Sequence, residues 1–180
     1  NKRSLDVLIK AEAVNELMDE RFNNLRHFWK AVADERPKNK KKLNEAIEEH
    51  RDAEDFTHDE YIENRTQLLG IYPFEMVLDD HTVERLNYLC VPPISQYDPD
   101  LEIAWFIPRE VIKRKTVNNR PYFIVKTIDN NSVMVDIKCW GIRPDKDKIH
   151  LNRPYMAKLK YEEQWGFSTK SGLRQWKLLG

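Results

Sequence analysis

A chain of 180 residues, 41% hydrophobic and 33% charged, has room for one domain or for a small domain with an accessory segment. No apolar run approaches the roughly 18–20 residues that a bilayer crossing needs, and the start, "NKRSLDVLIKAEAV", lacks the apolar core and cleavage site of a secretory signal. Cys90 and Cys139 are too few for a disulfide scaffold or a metal site of their own, which points to a reducing, cytoplasmic setting. The chain does not begin with Met, as expected of a piece of a longer protein. The net charge of zero conceals an asymmetry. Residues 1–100 hold 14 Lys/Arg against 22 Asp/Glu, and residues 101–180 hold 16 against 8. A basic half of this kind suits a polyanionic partner.

The first 89 residues have helical periodicity. In "SLDVLIKAEAVNELMDERFNNLRHFWKAV" the apolar residues from Leu5 to Val32 recur at three- and four-residue spacing, shared between more than one helix, with Ser4 able to cap the first. "RPKNKKK", residues 36–42, interrupts the pattern with a proline and a lysine cluster, and "LNEAIEEHRDAEDF" resumes as a short charged helix. Thr57 followed by Glu60 is a capping box with Phe56 and Tyr61 placed as its hydrophobic staple, Tyr61, Leu68 and Leu69 form a modest apolar edge, and Gly70 stands where a helix ends. "LDDHTVERLNYL", 78–89, predicts one more short helix. Residues 90–102, with three prolines and no periodicity, read as a linker.

From 103 the period changes to two. "IAWFIPREVIKRKT" (103–116), "RPYFIVKTID" (120–129), "SVMVDIKCWG" (132–141), "RPYMAKLKYE" (153–162) and "GLRQWKLL" (172–179) are β-rich runs separated by turn residues. Val133, Val135, Ile137 and Cys139 alternate against Met134, Asp136, Lys138 and Trp140, which predicts one buried face. Five strands in this span fit an OB-fold barrel, and an SH3-like barrel or an open sandwich fits the pattern nearly as well. The expected fold class is α+β: helical residues 1–89, a linker at 90–102, and a five-stranded β-barrel over 103–180.

Three stretches, in order, resemble the alpha subunit of bacterial replicative DNA polymerase III. "NKRSLDVLIKAEAVNEL" resembles the segment that closes that family's helix-hairpin-helix region. "FTHDEYIENRTQLLGIYPFEMVL" is similar to the connector before its OB domain, and "IPREVIKRKTVNNRPYFIVKTIDNNSVMVDIKCWG" is similar to the opening OB strands. The chain departs from the family at Glu12 and Val14, where a Gly and a Phe are usual. It departs again at Phe74-Glu75-Met76, and at Asn131 or Ser132, where another Gly is usual. Such divergence suits a phage-borne or distant polymerase. The family's clamp-binding peptide is not found in residues 30–56, which argues against binding the sliding clamp by that route.

The resemblance implies a non-catalytic part of a polymerase that holds single-stranded template DNA beside other polymerase domains or replisome proteins, away from any membrane. No metal-binding palm, Gly-rich phosphate loop or cofactor signature is found, and His27, His50, His58, His81 and His150 are scattered without ligand spacing. The Asp79-Asp80 pair reads as a helix start. Candidate DNA-binding residues are cations for phosphates and aromatics for base stacking. They are Lys113, Arg114 and Lys115 at the end of the first strand, Arg120 after the turn, and Tyr122, Lys126, Lys138 and Trp140 on or beside the exposed face of strands two and three. Trp165, Phe167, Lys170 and Arg174 complete them, in "QWGFSTKSGLRQWK", read as a loop before the last strand. The alternative is a protein-docking module of the replisome with no DNA contact of its own.

Overall fold

The computed structural model describes residues 2–143, 145–169 and 172–179, with the side chain of Lys2 left out. The chain divides into two compact units, residues 1–73 and 74–180. This boundary assigns the acidic stretch 74–102 to the sheet unit. The charge asymmetry falls accordingly, to 13 Lys/Arg against 16 Asp/Glu in the first unit and 17 against 14 in the second.

The first unit is helical. It contains α1 (Lys2–Lys10), α2 (Leu25–Trp29, continued by a π turn through Asp34), α3 (Lys40–Glu49) and α4 (His58–Leu69). Ile9, Phe22, Leu25, Phe28, Ala31, Ala33, Ala46 and Ile47 form its core, drawn from the predicted periodic stretch and from α3. Ser4 lies inside α1 and does not cap it. Lys40–Lys42 form the first turn of α3, because the Asn39 carboxamide accepts from the Lys42 N–H at 2.9 Å and starts the helix among the lysines. In α4 the capping box is complete: the Glu60 N–H donates to Thr57 Oγ1 and the Thr57 N–H donates to the Glu60 carboxylate. The Phe56 and Tyr61 rings meet edge-on at 5.8 Å, and Gly70 closes the helix at φ 71°. The buried anchor of α4 is Ile62, whereas Leu69, expected on the apolar edge, is exposed.

The second unit begins with α5 (Asp80–Tyr88), capped by the Asp79 carboxylate, which accepts from the Thr82 N–H at 2.7 Å. Residues 90–102 then run along the sheet. Ile94 is buried in its core, and the Trp105 N–H donates to the Pro92 carbonyl. Among the described residues seven strands follow: β1 (Ile103–Lys115), β2 (Pro121–Ile128), β3 (Met134–Cys139), β4 (Tyr155–Lys158), β5 (Lys160–Glu162), β6 (Gly166–Thr169) and β7 (Trp176–Leu178). They form one sheet in the order β5-β6-β3-β2-β1-β4-β7.

The fold is α+β as expected, but the five-stranded barrel is corrected to a seven-stranded curled sheet. Two local features account for the difference. The predicted run 153–162 is interrupted at Leu159, whose side chain is buried in the core while its N–H donates to the Glu102 carbonyl, so β4 and β5 are separate strands one residue apart. Residues 166–169, expected in a loop, form β6, which pairs parallel with β3 and antiparallel with β5.

The meander β1-β2-β3 carries most of the sheet. A register shift between Pro108 and Glu110 bends the long β1. Its first part pairs with β4 and its second with β2. A bulge is where a strand tolerates proline, since the missing N–H costs no ladder bond there. Ala104, Phe106, Phe123, Val125, Ile137 and Cys139 fill the inside of the curl. A fully buried Phe of this kind contributes about 1.5–3 kcal/mol. The β2–β3 turn is fixed by Asp129, a buried carboxylate that accepts from the N–H groups of Ser95 (2.8 Å), Asn131 (3.0 Å) and Val133 (3.3 Å).

Candidate nucleic-acid interface

The β1–β2 hairpin positions the first group of candidates. The Thr116 N–H donates to the Arg120 carbonyl, the Arg120 N–H returns to Thr116 Oγ1, and Asn119 takes the left-handed conformation that closes the turn (φ 57°). At the turn end of this hairpin a groove of about 500 Å³ is lined by Lys113, Arg114, Lys115, Pro121, Tyr122 and Phe123. The three cations are exposed, and none has an ion-pair partner among the described residues. Phe123 is buried, which turns Tyr122 to the outer face.

Strand register assembles the rest of that face. Arg114 stands opposite Tyr122 and Ile112 opposite Ile124, and across the next pairing Ile124 stands opposite Lys138. Alternation therefore puts Arg114, Ile112, Tyr122, Ile124, Lys138 and Trp140 on one surface. The Tyr122 and Trp140 rings are stacked, 4.4 Å between centroids and 26° between planes. The end of β3 is held from behind. The Trp140 N–H donates to the Thr169 carbonyl, and the Gly172 N–H donates to the Trp140 carbonyl at 2.8 Å. Gly172 has φ 59°, and a Cβ there would lie 2.9 Å from the Gly141 carbonyl oxygen, so this approach requires glycine.

Trp165 closes the face at its far side. It is 58% exposed in the turn between β5 and β6, where its N–H donates to the Glu162 carbonyl. Lys138 Nζ donates to the Trp165 carbonyl at 3.0 Å and lies 5.3 Å from the centre of its ring. The two are held as a unit, a cation beside an exposed indole.

The remaining candidates separate. Lys126 shares the outer face but is paired with Glu110 at 2.8 Å, and this hydrogen bond raises its pKa. Phe167 is on β6 and not in a loop. Its half-buried ring packs edge-on against Tyr97 at 5.1 Å and tilted against Tyr161 at 4.9 Å, so it serves as packing. Arg174 is exposed on the turn before β7, where its charge helps hold the Asp147 carboxyl below its usual range, a shift caused mainly by the Arg143 N–H. Lys170 lies outside the described residues. Sequence reasoning missed the aliphatic pair Ile112 and Ile124, which the alternation with Val111 and Phe123 already exposed, and the close approach of Gly172, which had no sequence signal.

Among the described residues there is no group of three His, Cys, Asp or Glu able to hold a metal ion, and no helix long and apolar enough to cross a membrane. No family model and no curated protein matches the chain.

Proposed function

We propose that the sheet unit binds single-stranded nucleic acid on the outer face of β2 and β3, as a divergent OB-type module. The chain is then a non-catalytic portion of a replicative DNA polymerase alpha subunit that holds template DNA. The observation that carries the binding role is the stacked, half-buried Tyr122–Trp140 pair sharing the outer face with Arg114, while Lys113 and Lys115, which alternate to the other face of β1, line the groove beside Tyr122; none of the three cations has a described partner. Stacking a base on an exposed aromatic contributes roughly 1–3 kcal/mol, and the cations bind phosphates whatever the sequence.

Connectivity supports the OB reading. With β4 and β5 taken as one strand bent at Leu159, the pairings β1–β2, β2–β3, β3–β6, β6–β5 and β4–β1 close a ring of five, and β7 is an addition on β4. OB barrels bind oligonucleotides on strands two and three between their first and last connecting loops. Here those loops are the turn 116–120 with Arg120 and the turn 163–165 with Trp165.

The resemblance to the polymerase family gains support from backbone geometry. Where that family carries glycine, Glu12 has φ 59°, and of the two alternatives for the next such position, Asn131 and Ser132, the second has φ 59°. An L-residue enters this conformation at a cost of about 1–2 kcal/mol, so the backbone is one that glycine suits.

The test is fluorescence anisotropy of labelled oligo-dT with the full chain at two salt concentrations. The expected result is saturable binding, weakened by salt and stronger than to a duplex of equal length. Absence of binding at low salt refutes the proposal.

A further inference from the structure

The lysine-rich stretch 36–42 has no part in the nucleic-acid face, and its surroundings in the helical unit differ in kind. Beside it lies an open groove of about 690 Å³ between α1, the π turn after α2, and α3. Its apolar lining is Leu5, Leu8, Val32 and Leu43. Leu5 and Leu8 lie one turn apart on α1, so they share a face of that helix. Leu5, Val32 and Leu43 are half-buried against the core, and Leu8 is 43% exposed.

The rim is cationic. Arg36 and Lys38 line the groove, Lys40 and Lys41 follow in the first turn of α3, and all four are exposed. None of the four has an ion-pair partner among the described residues, whereas Lys42 is paired with Glu45 at 2.8 Å. Among the described residues no acidic one lines the groove. Four such cations in six residues of a net-acidic unit are a local reversal of sign.

We propose that this groove docks an acidic amphipathic helix of a partner protein. Two features select that occupant. The lining is aliphatic, which suits Leu or Ile anchors at i, i+3, i+4 and i+7 and offers no ring on which a base could stack. Arg36, Lys38, Lys40 and Lys41 fall together in one six-residue stretch of the rim, so the favoured helix carries Asp or Glu along the flank of its apolar stripe that meets them. Charge of this kind sets orientation and association rate, and the apolar anchors supply most of the affinity. The proposal is independent of the single-strand reading, because it uses neither the sheet unit nor its cations.

The test is anisotropy with a labelled peptide about 18 residues long, with Leu at the anchor spacing, Glu along one flank of that stripe and Ala elsewhere, its helicity checked by circular dichroism. It is titrated with the full chain and with two variants, Leu8→Glu and the double Lys38→Glu/Lys40→Glu. Both substitutions fall on exposed positions, and a thermal melt checks that each variant folds. Saturable binding is expected, with Leu8→Glu weakening it about tenfold or more. The lysine double variant should weaken it less and remove most of its salt dependence. No saturable binding, or binding that Leu8→Glu leaves unchanged, overturns the proposal. Displacement of the peptide by oligo-dT assigns the groove to nucleic acid instead. A dimer in sedimentation that Leu8→Glu dissolves assigns it to a second copy, and either result also overturns it.

Discussion

The two units use the same residue types in opposite ways. In the helical unit, the cations that lie against aromatic rings are also ion-paired, and the unpartnered ones at 36–41 border an aliphatic groove instead. Lys10 lies 4.5 Å from the centre of the Trp29 ring and pairs with Asp6, to which Trp29 Nε1 also donates. Arg26 covers Phe56 and pairs with Glu60, and Arg65 grips Glu12 through two nitrogens. In the sheet unit the half-buried stacked rings share the outer face with Arg114, which, like Lys113 and Lys115 on the other side of β1, has no described partner. Internal pairing consumes binding capacity and fixes structure. A cation left beside an exposed ring keeps that capacity for a ligand. Total charge is a poor guide here, because the sheet unit exceeds neutrality by only three. What matters is which cations are free.

The contrast between the units is tested most severely at the end of β1. Replacing Lys113, Arg114 and Lys115 together by Ala is expected to lower oligo-dT affinity by an order of magnitude or more. It should also flatten the salt slope by about 2, at roughly 0.7 for each phosphate no longer neutralised. An unchanged slope would remove this strand from the site. Replacing Lys10 and Arg65, which are paired in the other unit, should leave that slope alone.

The next largest effect is on stability. Asp129→Ala leaves three backbone N–H groups of the sheet unit without their acceptor and should cost about 2–4 kcal/mol in urea unfolding. Gly172→Ala should cost about 1–3 kcal/mol by combining an unfavourable φ with the close approach to Gly141, and should weaken oligo-dT binding by shifting Trp140. A Gly172→Ala protein with unaltered stability would show that the close approach is not rigid.

Smaller effects separate the aromatic rings by role. Trp140→Ala should reduce affinity by roughly 1–3 kcal/mol, whereas Phe167→Leu should alter stability more than binding, since that ring packs against Tyr97 and Tyr161. Burial pushes the Cys139 thiol up to about 12, so a thiol reagent at mildly alkaline pH should label Cys90 quickly and Cys139 only on unfolding. Because the folded thiol holds its proton more tightly than the unfolded one, this contribution to stability is complete below about pH 9. It is lost as the pH rises towards 12.

Much of this architecture was legible in the chain. Thr57-Glu60 and Gly70 carry their own local geometry, so the ends of α4 could be read directly. Ile137 and Cys139 were readable because alternation in a half-buried strand leaves one choice of face, although Val133, expected on that face, is exposed. The strand count was not. Leu159 turns inward at a point where the alternating run looks continuous, and β6 exists because Phe167, Ser168 and Thr169 find β3 across about 30 residues, a pairing that local pattern cannot show. Likewise, Lys113 and Lys126 look alike in sequence. Only the register that brings Glu110 opposite Lys126 separates the paired cation from the free one.

The most direct measurement is amide chemical-shift mapping of the isotopically labelled full chain titrated with oligo-dT. Shifts are expected to concentrate in residues 113–123, 138–140 and 163–165, with the helical unit nearly silent. Shifts confined to residues 1–73, or none at saturating oligonucleotide, would contradict a single-strand site on the outer face of β2 and β3.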